Sequence, residues 1–472
     1  MSDLDVTRVI SAGAVRGART GDVERYLGIP YAAAPFGANR FRLPQPVPAW
    51  EGVRDALAFG PTAPQAPYQG ATAELLGSVA IPGDDILTAN VWRPTDADAA
   101  PVILWIHGGA LERGTAALST YDGTPFARDG IVFVSINYRL GSEGFSVFDD
   151  DAPLNLGVAD AAAALRWVHD EIAAFGGDPA RITLMGESAG GALVAALLSM
   201  PDTRQLAAGA IIQSGPLSAQ KPKKAGRVTR ALAKRLGVAP TSAAFAELEP
   251  EAIVAARVAQ AAGSSPLGGA PAFALALSDE MPREPETAIV DVDVPLLIGT
   301  NTDEYRLWFP PAALKTITAT KLLLARLALR IPGAAVAACR RVWPNASVGE
   351  VFGQIATEYL LRAPMLRVAA ARPAPTFVYE FAWQSPVRDL RAAHALELGF
   401  VFDALDDEET QRMAGPDAPQ SLADEMHAAW VAFSHTGDPG WPAYRADRLT
   451  RVFDTDSRTE PVRRAAVVDA MR

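Results

Sequence analysis

The sequence predicts an α/β fold, a central, mostly parallel twisted sheet with helices on both faces, and three strand-to-loop junctions carry that prediction. The first is the β-branched, apolar run at 101–106, which stops at His107, Gly108, Gly109 and Ala110. The second is the apolar run at 181–185, which leads into Gly-Glu-Ser-Ala-Gly at 186–190 and then into a small-residue helix over 192–198. The third is Val-Pro-Leu-Leu-Ile-Gly at 294–299, followed by Thr-Asn-Thr-Asp-Glu at 300–304. Apolar runs of this length, each ended by turn residues, read as buried strands.

The loop after the first strand is built from small residues, so its main chain can curl until N–H groups face a bound oxygen. The expected donors are the amides of Gly109 and Ala110, joined by that of Ala189. His107 reads as a residue that holds this loop rather than as a base. The second junction is a serine between glycines at a strand-to-helix turn, which throws the hydroxyl of Ser188 out above the sheet. The following helix aims its positive end at the place where negative charge would develop.

A serine nucleophile needs a base and an acid that orients the base. The chain has five histidines. His169 and His427 sit in amphipathic helical runs, and His435 falls in a turn before Gly437. His394 stands late in the chain, downstream of the third strand, and is the expected base. The loop after that strand offers Asp303 or Glu304 as the orienting acid, and spacing does not choose between them.

These motifs, with others, make the chain similar to the type-B carboxylesterase family of the α/β-hydrolases. The resemblance spans nearly the whole length. It includes Leu-Gly-Ile-Pro-Tyr-Ala at 27–32, Arg40, Phe41, the run at 50–56, and Asn90 to Trp92. It continues through 137–145, Asn155, Gly157, Asp160, Trp167, Val168 and 175–179. The elbow, 212–215, 299–304, 430–433, 437–439, Trp441 and Pro442 complete it. The resemblance implies one domain over 1–472, with cap insertions around 62–84, 220–290 and 308–375 forming a gorge. It assigns the acid to Glu304 and supports His394, through the pattern His-x-x-Glu-x-x-Phe at 394–400. It also implies a buried supporting network of Glu187, Ser214 and Glu397, and structural ion pairs of Arg40 with Asp84 and Arg139 with Asp160. Leu111, Leu307 and Trp308 are its candidates for the substrate pocket.

The implied activity is hydrolysis of carboxylic esters with short or medium acyl chains and aryl or alkyl alcohols, through an acyl-enzyme, with no metal or organic cofactor. An amidase, a carbamate hydrolase or a specialised natural-product esterase would use the same triad, and an adhesion-type binding homologue would use none of it. Departures narrow the substrate. Ala63 and Ile86 stand where many members close a loop with a disulfide, and Cys339 is the sole cysteine. The segment 65–71 has Tyr68 as its only aromatic residue, so the tryptophan that cradles quaternary ammonium in cholinesterases has no counterpart there.

Composition agrees. About half of the residues (49%) are hydrophobic, enough for a large sheet core. A net charge of −11 disfavours nucleic acid and anionic membrane as partners. No basic n-region precedes an apolar run at the N-terminus, and no apolar run reaches the roughly 20 residues needed to span a bilayer. With one cysteine, a cytoplasmic location is expected, as a monomer or homodimer acting on a small-molecule ester. Two basic stretches read as structural: 220–239 as a solvated helix face, and 315–330 as a cationic amphipathic cap helix rather than a lipid-binding one. Residues 263–271 read as a flexible loop.

Overall fold

The computed structural model describes residues 4–262 and 272–471, so the loop expected at 263–271 lies outside the described residues. The chain forms two compact units. The first holds Met1–Pro67, Ser78–Ile211 and Ser218–Ala288, and the second holds Tyr68–Gly77, Ile212–Leu217 and Ile289–Arg472.

The strands of the first unit are β1 (Leu4–Ile10), β2 (Gly13–Thr20), β3 (Val23–Pro30), β4 (Val53–Asp55), β5 (Thr88–Pro94), β6 (Ala100–Ile106), β7 (Val132–Ile136) and β8 (Gly177–Glu187). They run in the order β1-β2-β3-β5-β7-β6-β8, with β4 beside β2. The near end is antiparallel and half solvated, and β1 exposes nearly every second side chain. By contrast β6 is parallel to both its neighbours and is buried from Pro101 onward. A strand covered on both faces needs apolar residues at every position, which is why 101–106 shows no alternation.

Two helices position groups of opposite kinds, one apolar and one charged. Ala189–Ser199 is buried along its whole length, as an all-apolar helix of small residues must be. Leu156–Glu171 buries Asp160, and Arg139 meets that carboxylate as expected. Its Nη2 lies 2.6 Å from Oδ1, and its Nε lies 2.8 Å from Oδ2. The pairing expected for Arg40 is different. Arg40 grips Glu143 at 2.6 and 3.1 Å and donates to the carbonyls of Ala246 and Leu248, rather than reaching Asp84. Glu143 is buried and needs a counter-charge, whereas Asp84 is exposed and solvated by water.

From the first unit, β9 (Gly209–Gln213) carries the chain into the second. There β10 (Leu296–Asn301), β11 (Thr376–Phe381) and β12 (Leu449–Phe453) pair in parallel, and β13 (Arg458–Pro461) closes the edge antiparallel. Two expectations are corrected in this unit. His435 lies inside the helix Gln420–Thr436, which ends only at Gly437 with φ 76°. The run 315–330 is two helices, Pro311–Lys315 and Ala319–Ala328, because Thr318 leaves the helix and caps the second one by accepting from the Lys321 amide. Threonine hydroxyls compete for backbone groups in this way. Leu314, Ile317 and Leu322 pack inward, while Leu323, Leu324 and Leu327 are exposed.

In the first unit, Lys221, Lys223, Lys224, Arg227, Lys234 and Arg235 all point to solvent. Among the described residues no helix is long and apolar enough to cross a membrane.

The Arg139–Asp160 pair is sealed from water, so removing one charge strands the other. Asp160→Asn is expected to cost about 3–5 kcal/mol in urea-denaturation stability. A loss below about 1 kcal/mol, the range of exposed pairs, would contradict this account.

Candidate active site

In the first unit the register decides which loops meet. Ile106 at the end of β6 pairs with Gly186 near the end of β8, so the segments that follow both strands leave the sheet side by side. Between β8 and the helix Ala189–Ser199 the chain turns within one residue, Ser188, at φ 53° and ψ −121°. A non-glycine residue held there stores about 1–3 kcal/mol of backbone strain, which the surrounding packing must maintain. Gly190 explains how it is held. A Cβ on Gly190 would overlap the carbonyl oxygen of Ile106, so only glycine lets the helix start against the end of β6.

The loop after β6 reaches the same point. A Cβ on Gly108 would lie 2.6 Å from Oε2 of Glu187 and 3.1 Å from Cβ of Ser188, so loop and elbow are in contact. Positive φ values at Gly109 (116°), Ala110 (58°) and Leu111 (62°) curl the chain. The carbonyl of Gly109 accepts from the amides of Glu112 and Arg113, both at 3.1 Å, which closes the turn. The amides of Gly109 and Ala110 donate to no partner among the described residues. Ala189 opens a helix, so its amide has no carbonyl one turn back to bind.

His107 is buried, stacks on Tyr138 with ring centroids 4.6 Å apart, and bonds its own neighbour's carbonyl, Gly108 O, at 2.8 Å. Burial lowers its pKa to about 4, so the ring is neutral and serves as a loop support, as expected.

The second unit carries an imidazole and two neighbouring carboxylates. His394 and Glu304 are both buried, and His394 Nδ1 lies 2.6 Å from Oε2 of Glu304. The other oxygen, Oε1, accepts from the hydroxyl of Ser214 at 2.6 Å and from the amide of Asn301 at 2.7 Å. Three donors thus hold one carboxylate in place. The alternative acid, Asp303, is buried next door with its pKa raised by that burial, and its carboxylate makes no bond to His394. The Trp308 ring leans against the imidazole at 5.1 Å, and Leu307 is buried beside it in sequence.

A profile of the carboxylesterase family matches residues 5–465. The chain is 35% identical to the para-nitrobenzyl esterase of Bacillus subtilis (strain 168), over 95% of this chain and 94% of that protein. It is also 35% identical to the phenmedipham hydrolase of Pseudarthrobacter oxydans, over 98% of each. Among solved structures, a carboxylesterase of Geobacillus stearothermophilus matches with a TM-score of 0.87 at 34% identity, covering 99% of this chain and 100% of that one.

The chain belongs to the carboxylesterase family. It is a carboxylic ester hydrolase with the α/β-hydrolase fold.

Two residues of this carboxylesterase are not singled out by the sequence alone, although both lie in its family motifs. Asn301 donates through Nδ2 to the Ala393 carbonyl at 2.6 Å and to Oε2 of Glu397 at 2.5 Å. Gln213 donates to Oε1 of Glu397 at 3.2 Å and accepts from Trp430 Nε1 at 3.1 Å. The available signal is an amide side chain at the last position of an otherwise apolar strand, since β9 ends in Gln213 and β10 in Asn301. A buried amide there must be bonded to something.

Burial, and then the charge of Glu304, push the Glu397 carboxyl up to about 7, against the Asn301 hydrogen bond. Unfolded, Glu397 ionises near 4.5. Between these pH values the unfolded state loses its proton first, so the group destabilises the fold as pH climbs from about 4.5 to about 7. Glu397→Gln cannot ionise. It sets an NH₂ against the donors Asn301 or Gln213, an offset that does not vary with pH. Its stability relative to wild type should therefore rise between pH 5 and pH 7.5 in urea titrations. A pH-independent difference would refute a raised Glu397.

Proposed function

We propose that Ser188, His394 and Glu304 act as one catalytic triad in ester hydrolysis, with the amides of Gly109, Ala110 and Ala189 as the oxyanion hole. The single observation that carries this reading is the 2.6 Å contact of Glu304 with His394 Nδ1. A carboxylate there keeps the proton on Nδ1 and leaves Nε2 as the basic nitrogen. His394 Nε2 takes the proton of Ser188 Oγ as that oxygen bonds to the ester carbonyl carbon. The carbonyl electrons move onto oxygen, where the three amides stabilise them. When the intermediate collapses, the C–O bond to the alcohol breaks and His394 returns the proton to the leaving oxygen. Water then repeats the sequence on the acyl-enzyme and frees Ser188.

Glu187, Ser214 and Glu397 support the machinery without touching substrate. The strained Ser188 backbone and the start of the helix Ala189–Ser199 support the placement of the nucleophile. Leu111, Leu307 and Trp308 offer apolar surface for short or medium acyl chains and for aryl or alkyl alcohols. The name of the Bacillus subtilis relative, a para-nitrobenzyl esterase, points to alkyl alcohols that bear an aryl group. One buried cysteine, Cys339, suits a cytoplasmic protein.

Ser188→Ala should lower the release of p-nitrophenol from p-nitrophenyl butyrate by about 10⁴-fold or more. Glu304→Gln should cost about 10³–10⁴ in kcat by favouring the wrong tautomer. An organophosphonate adduct located by mass on any residue but Ser188 would overturn the assignment. Matched ester and anilide substrates test the reaction class, with the ester expected to turn over faster.

A further inference from the structure

The first unit holds a pocket, open to solvent, that the catalytic reading leaves unused. Its walls include Leu140, Ile253 and Phe273, and four charged residues interrupt them: Arg113, Glu143, which Arg40 grips, and the close pair of Glu112 and Arg257. The two side chains are only 14% and 13% exposed and face each other, with Arg257 Nη2 2.5 Å from Glu112 Oε1 and Nε 3.1 and 3.2 Å from Oε1 and Oε2. Arg257 also donates to Gln260 and lies over the Phe273 ring at 5.6 Å. So the wall is largely apolar, and each of its carboxylates has a counter-charge, Glu143 in Arg40 and Glu112 in Arg257 and, at 4.0 Å, Arg113.

The position of this cavity ties it to the proposed chemistry. Glu112 is two residues past Ala110, so their Cα atoms are at most about 7.6 Å apart. The Glu112 amide bonds the Gly109 carbonyl at 3.1 Å. On the other wall, the amide of Gly141 donates to the Leu111 carbonyl at 2.6 Å. Both walls therefore hang on the turn that presents the oxyanion amides.

We propose that this cavity is a substrate subsite that takes one apolar substituent of the ester, an aryl or branched alkyl group, and that the Glu112–Arg257 pair sets its charge selectivity. The inference rests on the proposed role of the loop after β6 as the oxyanion hole. With the pair intact, neither charge is available, so a substituent bearing a lone charge loses its water and gains no partner. Removing the Glu112 charge takes away this counter-charge of Arg257, so the wall becomes more positive toward a carboxylate. Removing the Arg257 charge leaves the Glu112 carboxylate with the longer, 4.0 Å contact to Arg113, so it repels an acidic substituent more than the intact pair does.

The test compares kcat/KM ratios within two matched pairs of esters. In one pair, mono-p-nitrophenyl glutarate against p-nitrophenyl butyrate, the charge is on the acyl side. In the other, 4-carboxybenzyl against 4-methylbenzyl butyrate, it is on the alcohol side. Glu112→Gln, which keeps the shape of the side chain, should raise the anionic-to-neutral ratio about tenfold in one of the pairs, the size of one charge-assisted contact. Arg257→Gln should lower the same ratio. The pair that responds identifies which substituent sits in the cavity. A brace without a binding role would lower both members of each pair together, and unchanged ratios in both variants would overturn the subsite. Ser188→Ala, run on the neutral esters, keeps the two readings apart: retained turnover there refutes the triad, whereas the ratios report on the cavity alone.

Discussion

The first unit turns on one close approach. Gly190 presses against the carbonyl of Ile106, and the β6–β8 register brings Gly186 level with that residue. A larger residue would push the helix Ala189–Ser199 away from the end of β6, and the strained turn at Ser188 would relax. The same approach brings Gly108 against Ser188 and Glu187. The Ser188 hydroxyl and the amides proposed as oxyanion donors are thus placed by main-chain packing, and no flexible side chain is needed to align them.

The second unit solves a different problem, which is how to keep carboxylates and an imidazole inside a protein. Glu304 is satisfied by Ser214, Asn301 and His394, so its charge is bonded on both oxygens. Glu397, near that charge, is driven toward its neutral form instead. The pair Glu304 and Glu397 then carries one buried negative charge where two would repel, which would suit the proposed role of His394 as a base.

Behind the acid loop lies a denser ionic cluster. Glu380 is buried, and burial pushes its carboxyl up, but the guanidinium groups of Arg362, Arg464 and Arg463 outweigh it and hold it well below the usual range. Thr302 donates to Glu380 at 2.6 Å and accepts from Arg463 at 2.9 Å, while Arg362 donates to the Asn301 carbonyl at 3.0 Å. The loop between β10 and Glu304 is therefore pinned by charges anchored on β11 and on residues near the C-terminus. Such a network limits how far Glu304 can drift, which would matter for its proposed role because small displacements of catalytic groups are costly.

Much of this is legible along the chain, because its determinants are local. A serine turn that only glycines can flank, a small-residue loop after an apolar strand, and a histidine placed after an acid loop are patterns of adjacent residues. The choice of Glu304 over Asp303 needs the family resemblance. The structure gives its physical reason, since one of two neighbouring carboxylates points at His394 and the other does not. Long-range pairings are less legible. Arg40 chooses Glu143 over Asp84 because burial of Glu143 is set only by folding, and Thr318 breaks a helix that composition favours. By itself the sequence determined the elbow, the curled loop and the fold class, through steric and periodic rules that act over a few residues. Only the tertiary structure decided the partners of buried charges, from Glu304 and Glu397 to Glu112 and Arg257, because desolvation depends on everything that packs around a group.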